Sequence, residues 1–251
     1  MKIAVVGSSG RVGKLVMEEL ALRGHSGVAV SRSAGIDVLD ITALTASFSG
    51  VDAVIDVTNT AAATAEENLS FFGNGSANIS AAARRSHLKH HVVLSIVGVD
   101  RIHTFAHYLG KQEQERHARA GSVPWTIVRA TQFHDFAEMV AEWGLQNGST
   151  RVAPLLVQPI APVDVARALV DAAEGEPQNQ PIEIAGPRTE DLVDMARRTF
   201  AARGKTVDLI PTWRGALDES MAGEVLLPSP TARLFDTTFE QWVSQLLSSE
   251  S

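Results

Sequence analysis

The chain has no cysteine and one tyrosine in 251 residues. Without cysteine it can form no disulfide, present no thiol nucleophile and offer no thiolate to a metal. It also lacks a basic surplus. Lys and Arg number 22 against 29 Asp and Glu, a formal net charge of −7. That balance argues against a nucleic-acid partner. No apolar run reaches membrane-spanning length, so no membrane partner is expected. The N-terminus reads as a first strand rather than a secretion signal, and a cytoplasmic location is the simplest expectation. No internal repeat and no low-complexity linker are visible. An apolar share of 45% is ordinary for a globular protein, and the length suits one large domain or one domain with an appendage.

What is present begins at residue 2. Lys2–Val6 is a short apolar strand running into Gly7-Ser8-Ser9-Gly10-Arg11-Val12-Gly13, and a helical pattern follows to Arg23 before stopping at Gly24. Strand, glycine turn and helix form the context of a dinucleotide fingerprint. Gly7 permits the sharp turn, Gly10 lets a pyrophosphate approach the backbone, and Gly13 lets the helix sit close to the sheet. The backbone of Ser9, Gly10, Arg11, Val12 and Gly13 then presents N–H groups and a positive helix end to phosphate.

Further strands are expected at 27–31, 53–57, 91–96 and 125–129, with helices near 41–49, 66–87 and 108–120. Strands rich in Val and Ile that alternate with helices predict an α/β protein with a doubly wound parallel sheet. Residues 1–137 read as the dinucleotide-binding core. Residues 138–251 read as a smaller C-terminal substrate-binding or lid region completing the same domain. In that region Pro162–Glu174 is a clear amphipathic helix with proline in its first turn, and Thr189 is expected to cap a helix running to Gly204.

The second strand ends Ser31-Arg32-Ser33. A site selecting NAD carries a carboxylate near this point to bind the ribose 2′-hydroxyl. Here a guanidinium flanked by hydroxyls suits a 2′-phosphate, so NADP(H) is expected ahead of NAD(H). Asp37 and Val38 are expected beside the adenine. Val57, Thr58 and Asn59, at the end of the third strand, are expected beside the pyrophosphate and ribose.

Several segments in order carry a resemblance: 7–13, 50–59, Leu94-Ser-Ile-Val-Gly-Val-Asp-Arg101, Pro124-Trp-Thr-Ile-Val-Arg-Ala-Thr-Gln-Phe133, Pro162–Ala166 and Ile184–Pro187. The chain resembles the short-chain dehydrogenase/reductase superfamily, in its atypical, NmrA-like NAD(P)-binding branch. The resemblance implies a Rossmann-type fold and an oxidoreductase acting by hydride transfer on a small organic molecule, and the aromatic residues Phe133, Phe136 and Trp143 suit a carbonyl or quinone-like one. It also admits, as the second reading, an NADP(H)-sensing regulator that signals to a protein partner. A homo-oligomer is compatible with either.

The superfamily's acid–base group is a Ser, a Tyr and a Lys four residues after the Tyr, the ammonium lowering the phenol's pKa. Here Ser95 ends a strand, Tyr108 follows, and Lys111 stands three residues after Tyr108 and four after His107. Three readings stand. Lys111 keeps its role with His107 in the tyrosine slot, or Tyr108 is the acid, or cofactor binds without the usual reduction. Ser95 and Lys111 are also expected as cofactor-pocket residues, ahead of a role for either as catalyst. Thr131, Gln132 and Phe133, after the fifth strand, are expected near nicotinamide, with Phe133, His134, Phe136 and Trp143 toward substrate. Glu113 and Glu115 read as a solvated helix face, and a surface Lys111–Glu115 pair is the plain alternative to a site role for Lys111, which its distance behind Ser95 favours. His87, His90 and His91 read as cations near a helix end, and no metal site is expected.

Overall fold

The structure, a computed structural model, describes residues 1–249. In chain order the elements are β1 (Lys2–Val6), α1 (Arg11–Leu22), β2 (Ser26–Val30), α2 (Ile41–Ser47), β3 (Ala53–Asp56), α3 (Ala65–Arg85), β4 (His90–Ile96), α4 (Ala106–Ala120) and β5 (Trp125–Ala130). The chain continues through α5 (Phe136–Trp143), β6 (Ser149–Val152), β7 (Leu156–Val157), α6 (Pro162–Glu174), β8 (Pro181–Ala185) and β9 (Glu190–Asp191). It ends with α7 (Leu192–Ala202), β10 (Asp208–Pro211), β11 (Arg233–Leu234) and α8 (Phe239–Ser249). No described helix is long and apolar enough to cross a membrane.

These elements form two units. The first comprises Met1–Ala130 and Pro162–Ile182, the second Thr131–Ala161 and Glu183–Ser251. In the first unit the strand order is β8-β5-β4-β3-β1-β2, with β8 contributing its first two residues. Strands β2, β1, β3, β4 and β5 pair in parallel. Every residue of β3 is buried, and so are six of the seven in β4. Continuous burial of that kind means helices cover both faces of the sheet. Edge strand β2 is buried only at its last residue, Val30. The order reverses direction between β1 and β3, the geometry that opens a crevice beyond the carboxyl ends of the strands.

Helix α1 packs beside α6, and α3 packs between α2 and α4. Ala4, Val6, Val30, Leu44, Phe48, Val54 and Ile79 share one core cluster under α2 and α3. Helix α3 opens on a capping box: the Glu67 N–H donates to Thr64 Oγ1 at 3.2 Å, and the Glu67 carboxylate accepts from the Thr64 N–H at 3.3 Å. Helix α4 starts two residues earlier than the expected Tyr108, so His107 and Tyr108 both lie inside its first turn.

In the second unit β10 pairs in parallel with β6, β7 antiparallel with β9, and β11 in parallel with the remainder of β8. Helix α7 packs against α5 and α8. Its cap is Asp191 rather than the expected Thr189, because the Asp191 carboxylate accepts from the Asp194 N–H at 2.9 Å.

Candidate dinucleotide-binding site

The glycine turn is built as its spacing requires. Gly7 leaves β1 with φ +89°, and its N–H donates to the Val30 carbonyl at 2.9 Å. A Cβ on Gly7 would lie 2.9 Å from the Val57 oxygen. A Cβ on Gly13 would lie 2.1 Å from the Gly7 oxygen, so any side chain there would push α1 off the strand. Gly10 is exposed and caps α1 with no side-chain hydrogen bond. The first turn of α1 therefore faces outward with its amide donors and positive dipole end. A dinucleotide pyrophosphate fits this cradle, which side chains would fill.

Ser9 and Arg11 are exposed beside Gly10, and Val12 is buried under the turn. At the tip of β2, Ser31 Oγ and Ser33 Oγ stand 3.0 Å apart around the exposed Arg32. Asp37 is exposed, and its Oδ1 accepts from the Leu39 N–H at 2.9 Å, turning its own loop. Val38 packs on the core, and its carbonyl accepts from Asn78 Nδ2 at 3.1 Å. Val57 and Thr58 are buried past the end of β3, while Asn59 is exposed with its side-chain oxygen accepting from the Thr60 N–H.

Behind these segments lies a buried polar cluster. Lys111, 5% exposed, donates from Nζ to the Thr58 carbonyl at 3.2 Å, the Leu94 carbonyl at 3.1 Å and Gln114 Oε1 at 2.8 Å. These three acceptors match the three N–H bonds of an ammonium. The Phe72 ring lies 4.8 Å from the same Nζ. Burial lowers the Lys111 pKa to about 8, and the charges of Asp56 and Glu115 oppose that fall. His107 stacks edgewise on Phe72. Burial, and then the Lys111 charge, push its pKa down to about 4, so its imidazole is neutral at neutral pH. Tyr108 is buried and stacks edgewise on Phe105.

Ser95 has a different partner. Its hydroxyl donates to Glu115 Oε1 at 2.6 Å. Glu115 is 4% exposed, and Arg129 grips both its oxygens at 2.9 Å, with Arg119 on Oε2 at 2.7 Å. Burial pushes the Glu115 carboxyl up, but the bonds from Arg129 and Ser95 outweigh it and hold the group below the usual range. This corrects the reading of Glu115 as a solvated residue and removes the alternative of a surface Lys111–Glu115 pair. Helix α4 turns that stripe inward over β4 and β5, where Arg129 supplies the counter-charge.

His90 and His91 are likewise buried, not cations at a helix end. Burial lowers the His90 pKa to about 4, helped by His91, and lowers that of His91 against the opposing charge of Asp56. His87 alone stays exposed, in left-handed backbone after α3.

Thr131, Gln132 and Phe133 belong to the second unit. Thr131 Oγ1 donates to the Gln158 carbonyl at 2.6 Å, and Phe133 bridges Ile160. Gln132 is buried, and neither polar atom of its amide has a hydrogen bond among the described residues. His134 is fully buried against the rings of Phe239 and Trp242, while Trp143 is exposed.

Sequence reasoning missed Asp56, Gln114 and Arg129. Each left a signal. Asp56 and Arg129 are charges inside apolar strands, and Gln114 stands one turn after Lys111.

A family model described as NAD(P)H-binding matches residues 7–176, more than half of the chain. The chain belongs to this NAD(P)H-binding family. The match covers the glycine turn, the β2 tip and the Lys111 cluster of this NAD(P)H-binding protein. No curated protein sequence matches it. Among solved structures, it is similar to a dTDP-4-dehydrorhamnose reductase ortholog from Clostridium acetobutylicum, with 18% identity, both chains covered in full and a TM-score of 0.77. A short-chain dehydrogenase/reductase superfamily protein from Agrobacterium tumefaciens with bound NAD is 14% identical, covers 100% of this chain and 97% of its own, and has a TM-score of 0.75. An NADPH-dependent quinone oxidoreductase from Escherichia coli is 18% identical over 97% of this chain and 99% of its own, with a TM-score of 0.70. These likenesses carry the Rossmann-type fold.

Proposed function

We propose that the protein is an NADP(H)-binding oxidoreductase of the atypical short-chain, NmrA-like type, reducing a small carbonyl or quinone-like substrate. The observation that carries this reading is the Gly7–Gly13 cradle, sealed against side chains, beside a β2 tip that offers Arg32 and two serines and no carboxylate. The dinucleotide supplies the hydride when bound. The chain's residues bind and orient it. Ser9 to Gly13 receive the pyrophosphate, Arg32 with Ser31 and Ser33 receives a 2′-phosphate, and Asp37 with Val38 flanks the adenine. Val57, Thr58 and Asn59 pass the ribose, toward Ser95 and Lys111. Tyr108 is the better proton donor of the two candidates, because His107, neutral at neutral pH, has no imidazolium proton to give.

A second reading, a cofactor sensor without turnover, is favoured by one observation. The Ser95 hydroxyl is committed to Glu115, and all three Lys111 protons are engaged. Two titrations test the binding claim. NADPH should bind more tightly than NADH, and Arg32→Ala should weaken NADPH about tenfold or more while sparing NADH. Equal binding by the wild type overturns the NADP assignment. Oxidation of NADPH with a panel of quinones and aldehydes then separates the readings: turnover supports the enzyme, and tight binding without turnover supports the sensor.

A further inference from the structure

Asp56 ends β3 with its side chain 0% exposed, and a buried carboxylate needs compensation. Its Oδ1 accepts from the Thr58 N–H at 2.9 Å, and its Oδ2 accepts from Gln114 Nε2 at 2.9 Å. Gln114 is also 0% exposed. Its Nε2 reaches Thr58 Oγ1 at 3.1 Å, and its Oε1 accepts from Lys111 Nζ at 2.8 Å. Only one orientation of the amide satisfies both neighbours. Flipped, it would set donors against the ammonium and an acceptor against the carboxylate.

We propose that Asp56 and Gln114 form a positioning relay for Lys111, carrying the charge of Asp56 to the ammonium through the Gln114 amide and so holding Lys111 charged for the dinucleotide. The last clause rests on the proposed function; the relay itself does not. The other groups around Lys111 are neutral, or carry a charge that is paired elsewhere. From α3 it meets the Phe72 ring, and from α4 the neutral His107. From β4 it meets the Leu94 carbonyl, and past β3 that of Thr58. Glu115, also on α4, helps the charge but is gripped by Arg129 and Arg119. His91 on β4 feels Asp56 as well, and burial keeps it neutral. Gln114 is the side chain that bridges the two buried charges.

The test reads Lys111 directly. The chain has five lysines, so the Nζ and Cε resonances of isotopically labelled lysine are few enough to assign. In the wild type without cofactor, Lys111 should titrate with an inflection about 8. Gln114→Met breaks the relay, and Asp56→Asn removes its charge; either should move the inflection down by about one unit or more. Gln114→Glu, protonated on the oxygen that faces Asp56, keeps an acceptor on Lys111 and a donor on Asp56 and should return the inflection to near its wild-type position. If Gln114→Met does not fold, Asp56→Asn carries the same expectation. An inflection unmoved by both variants, with melting temperature lowered, makes these residues structural and overturns the proposal. NADPH affinity measured across the same pH range should fall about tenfold per unit above each protein's own inflection. A wild type that binds no dinucleotide, while the Lys111 inflection still responds to Gln114 and Asp56, overturns the proposed function and supports the relay.

Discussion

Gly10 and Gly13 look equivalent in sequence, and their surroundings separate them. A Cβ on Gly13 would meet backbone oxygen at 2.1 Å, which no rotamer change relieves, whereas one on Gly10 would stand 3.2 Å from the Gly7 oxygen, with open ground beyond. Gly13→Ala should therefore cost about 3 kcal/mol or more of stability in a denaturant titration. Gly10→Ala should leave the melting temperature close to wild type and weaken NADPH at least tenfold, because the methyl occupies the pyrophosphate's approach. Equal destabilisation by the two would contradict this division of labour. Chemistry at this scale was only half legible. Gly7, Gly10 and Gly13 announce themselves by spacing, and Lys111 by its distance behind Ser95. Gln114 has no such mark, since its meaning depends on Asp56, 58 positions earlier. Ser95 was legible as a strand-end hydroxyl, but its commitment to Glu115 was not.

Among the elements, α3 and α4 make the most extensive helix–helix contact, and Gly110 is one of the places where they touch. A Cβ there would lie 2.4 Å from Phe72 Cδ2 and 3.2 Å from Asn68 Cβ. Alanine is the better helix former by about 1 kcal/mol, yet overpacking at a fixed helix contact costs about 1–3 kcal/mol. Gly110→Ala should thus be neutral to destabilising. It should also disturb Lys111, whose ammonium lies over the displaced Phe72 ring. A net gain in stability would show that Phe72 yields freely. The strands and most helices were readable from apolar runs and caps. Helix α4 was placed but its buried face was misread, because Lys111, Gln114 and Glu115 make that face polar where the hydrophobic pattern expects apolar residues.

Acid sensitivity belongs to the whole molecule. His90 is 3% exposed, its ring nitrogen 2.8 Å from Thr126 Oγ1, and its pKa falls from 6.5 to about 4. A histidine with a depressed folded pKa takes up protons more readily when unfolded. Stability is therefore intact above about 6.5 and is lost as pH drops toward 4, by up to about 3 kcal/mol from this group. Denaturant midpoints should decline across that window, and His90→Gln should flatten part of the decline even if it lowers stability at neutral pH. A wild-type midpoint that is constant over the window would contradict the burial of a neutral imidazole.

By itself the sequence determined the alternation of strands and helices, the glycine turn on the first strand and the absence of a carboxylate at the tip of the second. Those features are local: each depends on residues within a few positions of one another, where backbone geometry and periodicity act directly. The tertiary structure alone decided that Glu115 is buried on Arg129, that His107 and His90 are neutral, and that Lys111 faces Asp56 through Gln114. Those outcomes depend on which charges meet in a low-dielectric interior, and the residues that meet there are brought together only when α4 lies down on β4 and β5, with Gln114 reaching the end of β3.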